Sequence, residues 1–145
     1  MRIEDLNSMT ADRLMVIDLH STLQAAARAL SAPRMGLAIV SDAHGSAVGV
    51  LSKSDIIRHI GMERPASVSA ADLMCREMIA CQPNDDVQAV WHTMAKNSLQ
   101  NMPVLGTLSE PLGVLAFDDA TKALYEQEAL EEQILIGYIA GIGYR

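Results

Sequence analysis

The sequence is poor in aromatic residues, in cysteine and in positive charge. Five of its 145 residues are aromatic (Trp91, Phe117, Tyr125, Tyr138 and Tyr144), so the core must come from Leu, Ile, Val, Met and Ala, whose small members imply close packing of elements. The two cysteines, Cys75 and Cys81, are separated by five residues, which matches neither a redox CxxC nor a zinc-finger pair and fits a reduced, cytoplasmic setting. Eleven Lys and Arg stand against 18 Asp and Glu, for a net charge of −7. Nucleic acid is not expected as a partner, because neutralising phosphates requires a basic face. Residues 134–144 form the longest apolar run, far short of the ~20 residues of a membrane span. The first five residues lack an apolar signal-peptide core, so neither export nor membrane insertion is expected.

Half the residues are hydrophobic and a fifth are charged, the composition of a soluble globular unit. Six acidic residues and one Lys fall within positions 118–132, leaving the remainder close to neutral.

The chain aligns with itself without a gap at an offset of 64, residues 19–60 against 83–124, and the features recur in order. Ser21-x-x-Gln24 and Asp85-x-x-Gln88 have the spacing of a capping box and predict helix starts. Leu23, Ala26, Ala27 and Leu30 in one copy, and Val87, Val90, Trp91 and Met94 in the other, form a helical apolar stripe. Trp91 is therefore expected in the core, as are Met94 and Met102. Two short strands follow in each copy, residues 37–40 and 47–51, then 102–105 and 112–117, joined by turn residues. A further strand is expected before each helix, at 15–18 and 78–82. The first copy closes with a helix over 53–60, stopped at Gly61. The last helix should run to about residue 136 and give way to a glycine-containing tail.

Gly49-Val50-Leu51-Ser52-Lys53-Ser54-Asp55 and Gly113-Val114-Leu115-Ala116-Phe117-Asp118-Asp119 place an Asp six residues after a Gly at a strand-to-helix turn. This duplicated pattern resembles the cystathionine-β-synthase (CBS) domain, whose consensus there reads Gly, two aliphatics, Ser or Thr, two variable residues and Asp. Met102-Pro103-Val104 matches the hydrophobic-Pro-Val strand of that family, whereas the first copy has Ala38-Ile39-Val40, and Ala116 stands where a hydroxyl belongs. The resemblance implies an α+β fold of two βαββα repeats packed as a pseudo-twofold pair. The repeats are expected at 9–61 and 72–125, with a linker at 62–71 and a C-terminal helix extension and tail at 126–145.

The same resemblance implies a regulatory module, without catalysis, that binds an adenosine-containing ligand between the copies: AMP, ADP or ATP, or S-adenosylmethionine or a dinucleotide. A helix N-terminus offers free amides to a phosphate and a first-turn carboxylate accepts ribose hydroxyls, tasks that fall to Ser52 and Asp55. Gly49 permits close approach, Lys53, Arg58 and Arg34 are candidate phosphate partners, and Ile17, Ile39, Cys81 and Pro103 are candidate adenine neighbours. Asp119 heads a second site expected to be weaker toward phosphate, because Ala116 removes a donor and Asp118 adds a charge. Ser52-x-x-Asp55 is equally a capping box that its helix needs in any case.

His20, His44, His59 and His92 show no ligand spacing, so no metal is expected. With no nucleophile-base pair visible, a small hydrolase or transferase is the least favoured class. A homodimer is expected through helices bearing Ala120, Ala123, Leu124, Leu130 and Ile134, with output to an unidentified effector protein. The alternative is a ligand-free interaction scaffold in which the acidic last helix recruits the partner.

Overall fold

The computed structural model describes residues 1–143. In chain order these form a 3-10 turn (Ile3–Leu6), α1 (Asn7–Asp12), β1 (Val16–Asp18), α2 (Leu23–Leu30), β2 (Leu37–Ser41), β3 (Ala47–Ser52), α3 (Lys53–Gly61), α4 (Ala70–Leu73), α5 (Val87–Lys96), β4 (Asn101–Leu105), β5 (Pro111–Ala116) and α6 (Phe117–Gly143). The fold is α+β, as expected. β1 pairs parallel with β2, and β2 antiparallel with β3, while β4 and β5 form a two-stranded antiparallel sheet.

The 64-residue period survives to fine detail. Leu37 pairs with Ser52 and Asn101 with Ala116, and the register shifts after Val40 in one hairpin and after Val104 in the other. Left-handed backbone occurs at Arg34 and Ser98, and again at Gly45 and Ser109. Prolines explain where the copies differ. The Ile39 amide donates to the Met15 carbonyl, but the position 64 residues later is Pro103, which has no N–H. The strand expected at 78–82 is accordingly reduced to a single parallel bridge between Cys81 and Val104. Similarly, the Ala47 amide donates to Ser109 across the hairpin tips, and its counterpart, Pro111, has no donor to return the bond.

The helix caps lie one residue later than expected. Thr22 Oγ1 accepts from the Ala25 amide and Asp86 Oδ2 from the Ala89 amide, both at 3.0 Å, so Thr22 and Asp86 cap α2 and α5. Ser21 and Asp85 belong to the preceding turns, where the Ser21 amide donates to the Asp18 carbonyl and Asp85 Oδ2 accepts from the Gln82 amide. Gly61 is the last helical residue of α3, and Met62 caps the helix ahead of Glu63 in left-handed conformation. Phe117 opens α6 rather than ending β5. In place of a tail after residue 136, α6 continues to Gly143, since a single helical glycine such as Gly137 costs only ~1 kcal/mol and good helix formers precede it. Tyr144 and Arg145 lie outside the described residues.

Three apolar layers hold the chain together. α2 and α3 cover one face of the first sheet around Leu30, Val40, Leu51 and Ile56. α5 and α6 cover the second sheet around Met94, Met102, Leu115 and Ala120. Between the sheets, Leu37, Ile39 and Ala47 meet Leu105 and Val114. Trp91 is half-buried, stacks on Phe117 at 5.6 Å and donates its indole N–H to Thr121 Oγ1 at 2.8 Å. It therefore belongs to the core on one side only. Ala120 and Ala123, expected on an intermolecular face, are buried in the chain's own core.

The segments that precede the repeats are exchanged. Amides of Ile3 and Glu4 donate to the Asp85 and Pro83 carbonyls of the second copy, and amides of Ala70 and Ala71 donate to Ser21 and Leu19 of the first. Ile3 and Leu6 are buried in the second core, Ala70 and Met74 in the first. Residues 1–8, assigned to neither repeat from sequence, thus complete the second one. Ile3→Ala is expected to cost about 2–5 kcal/mol, the range for truncating a buried Ile, despite its place near the chain start. Urea unfolding followed by Trp91 fluorescence checks this.

Candidate functional site

The two Gly-to-Asp motifs end at the N-termini of α3 and α6, and their aspartates are engaged differently. At α3, Ser52 Oγ accepts from the Asp55 amide at 3.2 Å and Asp55 Oδ2 accepts from the Ser52 amide at 2.9 Å. The capping role of Asp55 therefore uses one carboxylate oxygen. Oδ1 faces Arg58 Nη1 at 3.4 Å, with the guanidinium 67% exposed, a contact too long and too solvated to hold it firmly.

At α6, Ala116 offers no hydroxyl, and the Asp119 carboxylate instead receives a two-pronged guanidinium. Arg13 Nε donates to Oδ2 at 2.6 Å and Nη2 to Oδ1 at 3.3 Å, and the two side chains are only 17% and 15% exposed. Arg13 Nη1 also donates to the Arg34 carbonyl at 3.1 Å, so Arg34 contributes backbone here. Such parallel pairing occupies both carboxylate oxygens. Asp118 is exposed. Leu14 and Met78, 64 residues apart, both pack on the inter-sheet layer, so the counterpart of Arg13 is Glu77.

The remaining expected residues are distributed over several environments. A Cβ on Gly49 would lie 2.5 Å from Met74 Sδ and 3.0 Å from the Cys75 carbonyl oxygen, and one on Gly113 would lie 2.8 Å from the Thr10 backbone. Close approach at both glycines is used by the chain's own exchanged segments. Ile39 sits in the inter-sheet layer, while Ile17 faces the helices, so the structure does not bring these two together. Pro103 is buried in β4, and its carbonyl accepts from the Cys81 amide at 3.0 Å. Lys53 is exposed beside an apolar groove between α2 and α3. The buried His59 donates Nε2–H to the Pro65 carbonyl at 2.6 Å, a structural task. No cluster of three His, Cys, Asp or Glu able to hold a metal occurs among the described residues. No helix among them is long and apolar enough to cross a membrane.

Arg13 is the site residue that sequence reasoning missed. It lies 106 residues from Asp119 and outside the self-aligned segment, so no local pattern marks it.

The sequence profile of the CBS domain matches residues 3–61 and 70–126. Over 120 residues the chain is 28% identical to L-aspartate semialdehyde sulfurtransferase of Methanosarcina acetivorans, covering 82% of this chain and 23% of that protein. Among solved structures, a CBS domain pair in complex with 5′-methylthioadenosine and S-adenosyl-L-methionine superposes with a TM-score of 0.76 at 17% identity, over 88% of this chain and 98% of that one. A CBS domain protein from Pyrobaculum aerophilum complexed with AMP gives 0.73 at 21% identity, over 82% and 89%.

Removing Arg13 leaves the Asp119 carboxylate without its counter-ion. Arg13→Ala is expected to cost about 3 kcal/mol, and Arg13→Ala with Asp119→Ala less than that, because the stranded charge is gone. Urea unfolding of the two variants checks the order. Burial, reinforced by the charge of Asp85, pushes the Cys81 thiol up from 9.0 to about 12. The folded state keeps this proton longer than the unfolded chain, so the contribution is complete below pH 9 and lost as pH rises toward 12. A thiol reagent at pH 8 is expected to modify the exposed Cys75 alone, one thiol per native chain and two after unfolding.

Proposed function

The chain belongs to the CBS domain family, and from that premise we propose that it is a non-catalytic regulatory module binding an adenosine-containing nucleotide at the N-terminus of α3. The carrying observation is the contrast between two otherwise repeated helix starts: Asp55 has one carboxylate oxygen held only by a long, exposed contact, while both oxygens of Asp119 are taken by Arg13. A ribose diol reaches Asp55 Oδ1 without breaking a buried ion pair. The first-turn amides of α3 and the Ser52 hydroxyl then meet the phosphate, with Lys53 and Arg58 nearby in sequence as further cations. Adenine fits beside the inter-sheet layer that contains Ile39. Solved relatives with AMP, and with 5′-methylthioadenosine and S-adenosyl-L-methionine, support the ligand class.

Turnover forms no part of this reading. The chain spans under a quarter of the sulfurtransferase it resembles, and the Cys81 thiol is held protonated by burial, which removes it as a nucleophile. Two free thiols suit a reducing cytoplasm. Ligand occupancy passes to an effector protein, with the module working as a homodimer. The complete Ser52–Asp55 capping box favours the second reading, a ligand-free scaffold, since each aspartate already has a structural task.

Calorimetric titration with AMP separates the two readings. One site per chain is expected. Asp55→Asn should weaken it about 10- to 100-fold, the equivalent of a charge-assisted bond of ~1.5–3 kcal/mol, while lowering folding stability by about 1 kcal/mol or less. Asp119→Asn should leave AMP affinity within about twofold. Equal affinity of the Asp55 variant and the parent assigns Asp55 to capping alone, and no heat with AMP, ADP, ATP and S-adenosylmethionine establishes the scaffold.

A further inference from the structure

A ribose diol offers a carboxylate two neighbouring hydroxyl donors, one for each oxygen. A guanidinium offers the same paired pattern through Nε–H and Nη2–H, with a positive charge added. Arg13 makes that bond to Asp119, Nε reaching Oδ2 at 2.6 Å and Nη2 reaching Oδ1 at 3.3 Å. The carboxylate that heads the second motif therefore already holds the donor pair a nucleoside presents.

The contact differs from an ordinary surface ion pair in two respects. Both side chains are more than four-fifths buried, and the guanidinium is also held on its remaining side, because Nη1 donates to the Arg34 carbonyl at 3.1 Å. Arg34 lies in the turn between α2 and β2 with left-handed backbone, φ 69°. Arg13 thus ties the head of α6, in the second copy, to a turn of the first, across the region between the copies. Nothing equivalent is available to Asp55. Thr10 lies against Gly113 as Met74 lies against Gly49, and Leu14 shares the inter-sheet layer with Met78. Each of these pairs is 64 residues apart, so both sides of Arg13 are in register with both sides of Glu77, whose carboxylate has no proton to give an aspartate.

We infer that Arg13 is a built-in occupant of the second nucleoside site, an autoinhibitory side chain that takes the place of the ribose and limits the chain to one ligand. Neutral hydroxyls do not displace it, because the charge-assisted pair is roughly twice as strong as neutral bonds to the same oxygens. Removing the guanidinium returns both acceptors of Asp119. A ligand arriving there also meets the exposed Asp118, so the opened site takes an uncharged nucleoside in preference to a nucleotide phosphate. The inference rests on the ligand reading above and concerns the other helix start. An ion pair with a structural task alone predicts lower stability on losing Arg13 and no added site.

Equilibrium dialysis with adenosine and, separately, with AMP counts ligands per chain. The parent is expected to saturate at one of either. Arg13→Ala is expected to take two adenosines, and Arg13→Ala with Asp119→Asn to return to one. AMP affinity at α3 should stay within about twofold in both variants, since the sites share no residue, and this retained binding reports that they are folded. Should Arg13→Ala not fold, Arg13→Gln removes the charge and the paired donors while keeping a polar side chain, with the same expectation. A parent that already takes two adenosines overturns the inference, as does a variant that keeps its AMP site and takes one, or a second adenosine that survives Asp119→Asn. A parent that binds neither ligand overturns the reading of the α3 site, and Arg13→Ala still decides this one: a gain of one adenosine supports it and no gain overturns it.

Discussion

The exchange of leading segments between the two copies is the constraint on which the rest of the structure depends. The 3-10 turn at Ile3–Leu6 and the short helix α4 at Ala70–Leu73 each donate two amides to the opposite copy and bury side chains in its core. Neither copy owns a complete core without the other's leader. Pulling them apart exposes Ile3, Leu6, Ala70 and Met74 at once, and each large aliphatic among these contributes roughly 1.5–3 kcal/mol of burial. The same exchange brings the Thr10 backbone to 2.8 Å from where a Cβ on Gly113 would lie, and Met74 Sδ to 2.5 Å and the Cys75 carbonyl oxygen to 3.0 Å from one on Gly49. This supplies a structural reason for glycine at the head of each motif.

Within that symmetric frame, function is expected to follow from the places where symmetry fails. Pro103 and Pro111 each delete one backbone donor that the first copy possesses. Ala116 deletes the hydroxyl that caps α3 through Ser52, and the unused Asp119 carboxylate turns to Arg13, whose own counterpart is an acid. One helix start is capped by its own residues, which leave Asp55 Oδ1 with only a long, exposed contact, and the other is closed by a guanidinium brought from the first repeat. The difference is local, a handful of side chains on an otherwise duplicated backbone.

The sequence disclosed what depends on period and punctuation. The 64-residue offset, the apolar stripes containing Met94 and Val87, the hairpins and the helix start at Ser52 are all governed by neighbours within a few residues, so they were legible. The caps were displaced by one because Ser21 and Thr22, and likewise Asp85 and Asp86, both offer an oxygen, and only the path of the preceding turn decides between them. Likewise, Ile17 and Ile39 are both buried strand residues, yet adjacent strands present them to opposite layers. Arg13 lay beyond reach for a different reason: its partner is set by the folding of the whole chain, and nothing in a solvated-looking Arg between α1 and β1 indicates a carboxylate 106 residues away. The length of α6 was misjudged because Gly137 read as a stop where the surrounding residues sustain a helix.

α6 begins two residues before Asp119 and runs 27 residues, which makes it a pointer anchored beside the Arg13 ion pair. A rigid helix of that length is about 40 Å long, so a tilt of about 5° at its root sweeps the far end through roughly 3 Å. A tilt of that size set beside one carboxylate would thus appear at the far end as a displacement comparable to a side chain.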